Sequence, residues 1–368
     1  MHAARLGRVR QAMGEQGIDV LLVSVGADLP WLTGYEAMPL ERLTMLVVPR
    51  DEDATLVVPR LEAPRVVERP EAFTLRPWGE TEDPIALVAG LVEGATTAGI
   101  GDRTWARFVV DLQGALAGTT FSKASDVTGP LRAVKDDAEV AALARAAAAA
   151  DRVAGQLQAG EIALRGRTEA AVSADIGRRL LAEGHHRVNF AIVAAGANAA
   201  SPHHEAGERV IEVGDVVLCD FGGTMLADGG AGYCSDITRC VSLGPPSVEV
   251  AEAYAVLHAA QRAAVLAATV GTRCEDVDAT ARGVITAAGY GDQFIHRTGH
   301  GIGIEEHEDP YVVEGNATAL VAGHAFSVEP GIYVDGRWGL RLEDIVVAAP
   351  DGPRPLNVVD HDLVVVEA

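Results

Sequence analysis

The sequence has few cysteines, a deficit of basic residues and no long apolar run, and each shortage excludes a class of protein. Its four cysteines among 368 residues form no CxxC pair, so they predict reduced thiols and no disulfide framework. Thirty basic against 52 acidic residues give a formal charge of −22. That charge would repel a phosphate backbone or an anionic bilayer, which argues against nucleic-acid and membrane partners.

The sequence also lacks the long apolar segments of a membrane protein. No apolar run approaches the ~20 residues that a membrane span needs. The first residues, MHAARLGRVRQAMGEQGID, carry basic side chains but no apolar segment typical of a secretory signal. Hydrophobic residues at 48% and charged residues at 22% are typical of a globular protein. We therefore expect a soluble cytoplasmic protein of two domains, or three.

The first 125 residues predict a small α/β domain without catalytic residues. Apolar spacing over 5–17 predicts a helix that ends at Gly17. Trp31 and Tyr35 could line a pocket, although packing against a strand end is the preferred interpretation. Three apolar segments predict strands, the last two of them joined as a hairpin: 19–24, 44–49 and 54–59.

From about residue 126, the chain shows one pattern twice. Pairs of predicted helices, at 136–159 with 168–183 and at 247–270 with 276–288, each precede a His–Glu step and an apolar strand. Each of these strands is predicted to end in a carboxylate that lies six residues after a glycine, Asp220 in the first half and Glu329 in the second. A second acid follows each of them, Asp236 and Glu343 respectively. We expect two related halves with four acids in equivalent places.

These four acids predict a site for divalent cations. Alternate residues of a strand share a face, so Asp220 points the same way as Leu218, and opposite to Cys219. An ionised carboxylate on the inner side of an apolar strand has a large desolvation cost unless a cation compensates it. Four acids cannot neutralise one another by sharing protons alone, whereas two divalent cations bridged by two carboxylates would resolve the repulsion.

A histidine cluster supplies the fifth candidate ligand. His296, His300 and His307 lie within the glycine-rich segment 294–310, where glycines allow close approach of backbone and metal. Oxygen-rich coordination with one imidazole favours manganese, with cobalt or zinc as alternatives. The cysteines beside the acids are disfavoured as zinc ligands, because Cys219 points away from the acid-bearing face.

Four segments carry a family resemblance: DFGG…GYCSDITR, HRTGHGIGIEEHE, SVEPGIY and GLRLED. Together they resemble the metal-binding signatures of the "pita-bread" metallopeptidases, in particular the prolidase and aminopeptidase P branch. The N-terminal part is similar to the creatinase-type amino-terminal domain. The resemblance implies an α+β fold, with a small α/β N-terminal domain at 1–125 and a pseudo-twofold pita-bread catalytic domain at 126–368.

The resemblance also implies a role for each candidate residue. The ligands of two divalent metal ions would be Asp220, Asp236, His300, Glu329 and Glu343, of which Asp236 and Glu343 would bridge both ions. Glu329 would also take a proton from the attacking water and pass it to the leaving nitrogen. The remaining roles would be oxyanion donors (His203 and His307), the pocket for the residue after the scissile bond (His296) and orientation of a ligand carboxylate (Arg341). Tyr333 would either extend the network of Arg341 or serve a structural role.

The implied activity is hydrolysis of the peptide bond between an N-terminal residue and a following proline. The substrates would be short proline-containing peptides and the assembly a homodimer. Xaa-Pro dipeptidase is favoured over aminopeptidase P because the N-terminal domain is compact and single. One departure is the connection 221–235, which is longer than the commonest family pattern and rich in glycine; we expect a hairpin extension that influences access to the cleft.

Several other functions share part of this pattern. A creatinase-like C–N hydrolase would lack the metal ligands, and a methionine aminopeptidase normally lacks this N-terminal domain. A non-catalytic binding protein of the same fold should have lost ligands or histidines, whereas all are present here. A di-metal hydrolase or lyase acting on another small amide-like substrate would keep every one of these residues and stays an alternative.

Overall fold

The computed structural model describes residues 1–367, which form two compact units. The first unit consists of Met1–Arg132 together with the short segment Ala227–Gly232, and the second contains the rest of the described chain. No helix within residues 1–367 is both long and apolar enough to cross a bilayer.

The first unit is a mixed β-sheet with helices packed on it. Its strands are β1 (Val20–Val23), β2 (Met45–Pro49), β3 (Ala54–Pro59), β4 (Phe73–Trp78), β5 (Thr97–Ile100) and β6 (Thr120–Lys123). Its helices are α1 (His2–Gln16), α2 (Asp28–Thr33), α3 (Pro84–Leu91), α4 (Ala106–Ala115) and α5 (Ser125–Ala133), with a 3-10 turn at Ala63–Arg65. The strand order is β4-β3-β2-β1-β5-β6, and the predicted β2–β3 hairpin is confirmed as an antiparallel pair.

Local sequence signals in this unit are also confirmed. Helix α1 ends at Gly17, whose left-handed conformation (φ 70°) lets its amide close the last turn. Trp31 is fully buried, and the guanidinium of Arg5 lies 5.3 Å from its ring centre. Tyr35 is 6% exposed. Both aromatic residues therefore serve packing, as the preferred interpretation has it.

The segment 227–232 joins this unit through very close backbone contacts. Side chains on Gly34 and Gly230 would overlap the backbone of each other's segment, so only glycine permits the approach. The guanidinium of Arg69 donates hydrogen bonds to the carbonyl oxygens of Thr33 (3.2 Å) and Gly229 (3.2 Å). The tip of the predicted 221–235 hairpin is thus part of the first unit.

The second unit repeats two helices followed by a sheet. Its first half contains α6 (Asp137–Gln158), α7 (Glu169–Ala182), β7 (Arg187–Ala195), β8 (Val216–Leu226), β9 (Gly232–Cys234) and β10 (Ile237–Leu243), with a 3-10 turn at Gly196–Ala200. Its second half contains α8 (Val248–Ala267), α9 (Cys274–Ala287), β11 (Gly299–Gly301), β12 (Glu308–Val312), β13 (Ala325–Val328), β14 (Gly331–Val334), β15 (Trp338–Arg341), β16 (Asp344–Ala349), β17 (Gly352–Pro355) and β18 (Val364–Val366), with a 3-10 turn at Gly291–Gln293.

The two sheets of this unit follow the predicted duplication. One has the order β18-β10-β8-β7, with β9 added to β8, and the other has the order β12-β11-β13-β16-β17, while β14 and β15 form a hairpin. The first helix begins with a capping box, in which the Asp136 side chain accepts from the Glu139 amide (2.9 Å) and the Glu139 carboxylate accepts from the Asp136 amide (3.0 Å).

The expectation that Asp220 ends its strand is wrong. Strand β8 continues to Leu226, and Asp220 lies within it, opposite Ile192 and Thr238. The strand continues because Gly222 has no side chain. A Cβ at this position would overlap the Ser235 carbonyl oxygen, so glycine lets the returning chain come close enough to pair. The predicted alternation of faces is confirmed, since Leu218 and Cys219 belong to different hydrophobic cores.

Candidate metal centre

A cavity of about 730 Å³ in the second unit collects the candidate functional residues. All the predicted ligands, proton carriers and substrate-binding residues line it: His203, Asp220, Asp236, His296, His300, His307, Glu329, Arg341 and Glu343. Both sheets contribute to this set. Asp220 lies in β8 and His300 in β11, whereas Asp236, Glu329 and Glu343 lie at strand ends.

Three of the predicted ligands form the tightest cluster. One ligand atom from each of Asp236, His300 and Glu343 lies within 4.8 Å of the other two. Nδ1 of His300 is 3.1 Å from the Gly301 carbonyl oxygen, to which it donates, and this aims Nε2 at two carboxylates. That nitrogen lies 3.1 Å from Oε1 of Glu329 and 3.9 Å from Oδ2 of Asp236.

Asp220 and Glu343 are held by one arginine and one threonine. Arg341 donates through Nη2 to Oδ2 of Asp220 and through Nε to Oγ1 of Thr238 (3.1 Å). Thr238 in turn donates to Oε2 of Glu343 (2.7 Å). Among residues 1–367 the other oxygens, Oδ1 of Asp220 and Oε1 of Glu343, are buried without a hydrogen-bond partner. Two unpartnered carboxylate oxygens beside one imidazole suit hard divalent cations, so these residues fit the predicted metal ions.

Electrostatics within the cluster also favour a bound cation. Burial raises the pKa of Asp236 well above its ordinary value, and the charge of Glu343 raises it further. Burial likewise raises the pKa values of Glu343 and Asp220. Burial also opposes ionisation of Glu329, but the hydrogen bond and charge of His300 outweigh it and lower its pKa to about 2. Ionising the whole cluster therefore requires additional positive charge.

Two further histidines present defined hydrogen-bonding groups to the cavity. Nη2 of Arg297 lies 3.0 Å from Nδ1 of His307, and since arginine only donates, Nδ1 accepts and Nε2 carries the hydrogen. Burial, followed by the charges of His300 and Arg297, lowers the pKa of His307 to about 4. Its ring stacks on that of His300 with centres 3.7 Å apart. His307 is therefore a neutral donor at neutral pH.

The pocket residue His296 belongs to a chain of hydrogen bonds. Arg341 donates through Nη1 to the hydroxyl oxygen of Tyr333 (2.8 Å), which lies 2.9 Å from Nε2 of His296. Nδ1 of His296 lies 2.7 Å from the Arg297 carbonyl oxygen. Because a carbonyl oxygen only accepts, Nδ1 of His296 is the donor. Burial lowers the pKa of His296. The predicted extension of the arginine network by Tyr333 is thus present.

A buried acid, Glu169, positions the loop that carries His203, and no sequence pattern predicts it. Its carboxylate accepts from the Ala195 amide (2.8 Å), from Nδ2 of Asn198 (3.1 Å) and from Nε2 of His204 (2.8 Å). His204, which has no predicted role, therefore binds this acid. The nearby His203 is exposed and lines the cavity.

We expect Glu169→Gln to lower turnover roughly tenfold while leaving bound metal unchanged, because the loop loses acceptors and His203 moves. A buried glutamine amide facing the Ala195 amide also leaves donors unpaired, which should cost about 1–3 kcal/mol of unfolding free energy. Turnover, metal content and thermal unfolding measure these effects. Glu183→Gln is the control, since Glu183 follows the end of the same helix and pairs with Arg152, which does not line the cavity. Unchanged turnover in Glu169→Gln would contradict the positioning role.

Comparison with known proteins assigns the chain to a family. Residues 141–350 match the sequence model of Metallopeptidase family M24, and residues 5–134 match the Creatinase/Prolidase N-terminal domain. The chain belongs to metallopeptidase family M24. The predicted α+β architecture, with a creatinase-like N-terminal domain before a pita-bread domain, is thereby confirmed. Membership of M24 also implies divalent metal ions.

Relatives of this M24 peptidase span its whole length. A Mycobacterium tuberculosis protein named "Probable dipeptidase PepE" is 43% identical over 370 residues, covering 100% of this chain and 97% of the relative. A Xaa-Pro dipeptidase of Lactobacillus delbrueckii subsp. lactis is 34% identical, covering 97% and 98%. The crystal structure of dipeptidase PepE from Mycobacterium ulcerans superposes with a TM-score of 0.92 at 45% identity, covering 100% and 98%. The chain is therefore a peptidase of this family.

Proposed function

We propose that this M24 peptidase is a Xaa-Pro dipeptidase, which hydrolyses the bond between an N-terminal residue and a following proline. The observation that carries the proposal is the convergence of four buried or half-buried acids and His300 in one cavity with three further imidazoles. A 34%-identical relative with the name Xaa-Pro dipeptidase supports the substrate class. A dipeptidase without proline preference is the second candidate, since the 43%-identical relative carries the broader name dipeptidase.

We propose two divalent ions as cofactors, manganese first and cobalt or zinc as alternatives. Their proposed ligands are Asp220, Asp236, His300, Glu329 and Glu343. Two such cations polarise a carbonyl group and make water a competent nucleophile at neutral pH. The unpartnered buried oxygens of Asp220 and Glu343 support this assignment. Thr238 and Arg341 then hold the opposite oxygens of these two carboxylates.

The chain's own side chains handle the proton and the developing charge. Glu329 faces the cavity and would accept the proton of the attacking water, then deliver it to the prolyl nitrogen. Delivery is essential, because the X–Pro nitrogen carries no hydrogen and leaves as a secondary amine. His307 would donate from Nε2 to the oxyanion, with His203 as the second donor. His296, whose ring meets Phe294 edge to face at 5.3 Å, would contact the proline ring.

A hydrolysis panel tests this activity. Xaa-Pro dipeptides, Xaa-Pro-Yaa tripeptides and matched dipeptides without proline would be compared with and without Mn²⁺. We expect Mn²⁺-dependent cleavage of Xaa-Pro, with tripeptides at least tenfold slower. Equal rates on peptides without proline would indicate the broader dipeptidase. Absence of all hydrolysis in a metal-loaded protein would favour a binding protein or a hydrolase of another amide-like substrate.

Removing the metal should abolish activity and destabilise the protein. At a cation concentration 1,000 times Kd, binding stabilises a folded protein by about 4 kcal/mol, and without cations the buried carboxylates repel one another. EDTA treatment followed by Mn²⁺ addition, monitored by Xaa-Pro hydrolysis and thermal unfolding, measures both effects. Full turnover after complete chelation would overturn the metal assignment.

We also propose that the enzyme acts in the cytoplasm as a homodimer. The N-terminal domain, proposed at residues 1–125, takes a third of the chain without contributing candidate catalytic residues, and we assign it the dimer contacts. Light scattering of the full chain tests the assembly. A fully active monomer would remove this role.

A further inference from the structure

Arg297 is a second arginine of the cavity, and its position is fixed from two sides. It lies beside His296 on the segment that leads into β11 and lines the cavity. Its Nη2 donates to Nδ1 of His307 at 3.0 Å. The central carbon of its guanidinium lies 4.5 Å from the ring centre of Tyr311. These contacts hold a long side chain in one orientation at the cavity wall.

Within residues 1–367, no carboxylate forms an ion pair with Arg297. Its two partners, an accepting imidazole and a phenol ring, are uncharged. The other cavity arginine differs, since Arg341 is buried and bound to Asp220, Thr238 and Tyr333. Arg297 is therefore the cavity guanidinium that can pair with an anionic group of a ligand.

A Xaa-Pro dipeptide offers one matching group on its leaving side. The prolyl nitrogen has no hydrogen, and the ring is apolar, so the terminal carboxylate is the strong hydrogen-bonding group there. That carboxylate lies one residue, ~3.6 Å of extended chain, beyond the scissile bond. His307, the proposed oxyanion donor, contacts Arg297 directly, which places the guanidinium beside the reacting carbonyl.

We propose that Arg297 binds the C-terminal carboxylate of a dipeptide substrate and thereby makes the enzyme select dipeptides. This inference rests on the proposed Xaa-Pro dipeptidase function. A guanidinium forms paired, charge-assisted hydrogen bonds with a carboxylate. In a longer peptide the carboxylate is replaced at this position by a neutral amide, which accepts more weakly and brings no charge. Selection therefore comes from recognition of charge rather than from closure of the cleft.

The test compares one Xaa-Pro dipeptide as the free acid with the same dipeptide as its C-terminal amide. The Mn²⁺-loaded wild type should prefer the acid about 10- to 100-fold in kcat/KM, the range of one charge-assisted hydrogen bond. In Arg297→Gln, we expect the preference for the acid to collapse, because the acid loses kcat/KM mainly through KM and by a much larger factor than the amide. Arg297→Lys keeps the positive charge but cannot form the paired hydrogen bonds of a guanidinium, so it should retain part of the preference.

Control measurements separate recognition from folding and from positioning. Arg337→Gln removes an exposed arginine that pairs with Glu249, and it should keep the full preference. Metal content and thermal unfolding of the Arg297 variants should match the wild type. Equal losses on acid and amide in Arg297→Gln would instead assign Arg297 to orienting His307 and overturn the proposal.

The rates of the wild type on the acid and on the amide distinguish carboxylate recognition from the proposed Xaa-Pro hydrolysis. If it cleaves acid and amide equally well, carboxylate recognition is overturned whereas Xaa-Pro hydrolysis stands. If it cleaves neither with Mn²⁺ bound, the proposed function fails and the inference fails with it.

Discussion

Replacing Asp236 by asparagine should remove bound metal and reduce Xaa-Pro hydrolysis by ~10³-fold or more, the scale of losing an essential catalytic group. Asp236 is 4% exposed and belongs to the tightest ligand cluster with His300 and Glu343. Asparagine keeps the volume but removes one negative charge and one oxygen from a proposed metal ligand, so cation binding should weaken. Metal analysis of the purified variant, together with kcat, measures both consequences.

Cys234→Ser is the matched control for this substitution. Cys234 is buried two residues before Asp236, and its thiol contacts the Ile304 carbonyl oxygen at 3.4 Å. Serine can preserve that contact, so we expect metal content and turnover close to wild type. Equal metal content in Asp236→Asn and Cys234→Ser would contradict the ligand role of Asp236.

His300→Ala should lose metal, whereas His307→Ala and His203→Ala should keep most of it and lose turnover by ~10²–10³-fold. The reason is geometric. Nε2 of His300 points at Glu329 and Asp236, while His307 stacks on the ring of His300 and offers an N–H to the cavity. Metal stoichiometry and kcat, measured for all three variants, separate coordination from stabilisation of the oxyanion.

A remote histidine provides the control for this series. His258 stacks on His361 with ring centres 5.9 Å apart, away from the cavity residues. His258→Ala should therefore retain both metal and turnover. If His203→Ala, His300→Ala and His307→Ala all lost metal to the same extent, the proposed division between ligand and donors would be wrong.

Signals that lie close together in the sequence were sufficient to predict much of this molecule. The glycine stop of α1, the β2–β3 hairpin and the capping box of α6 each depend on neighbouring residues. The repeat also predicted that two pairs of acids would occupy related places, and all four line one cavity. Asp220 was misplaced at a strand end because glycine usually interrupts strands, whereas Gly222 here permits close pairing.

Supporting residues could not be predicted, since their partners are brought together only by the fold. Thr238 binds Glu343, which lies 105 positions later in the chain. Glu169 accepts from His204, 35 positions away, and neither residue belongs to a recognisable spacing. Arg297 meets Tyr311 across a β-hairpin whose register the sequence does not specify. The sequence alone does not reveal whether the charge of a given side chain is neutralised by a partner in the folded protein.

The place of segment 227–232 in the first compact unit has a consequence for biosynthesis and for domain exchange. A ribosome releases Met1–Arg132 long before Gly229 and Gly230, so the nascent N-terminal unit lacks the backbone that contacts Gly34 and Arg69. Its folding can be completed only after the chain has been made as far as Gly232. A chimaera that exchanges the N-terminal unit between relatives should therefore also transplant this hairpin tip, because the unit is encoded in two separate stretches.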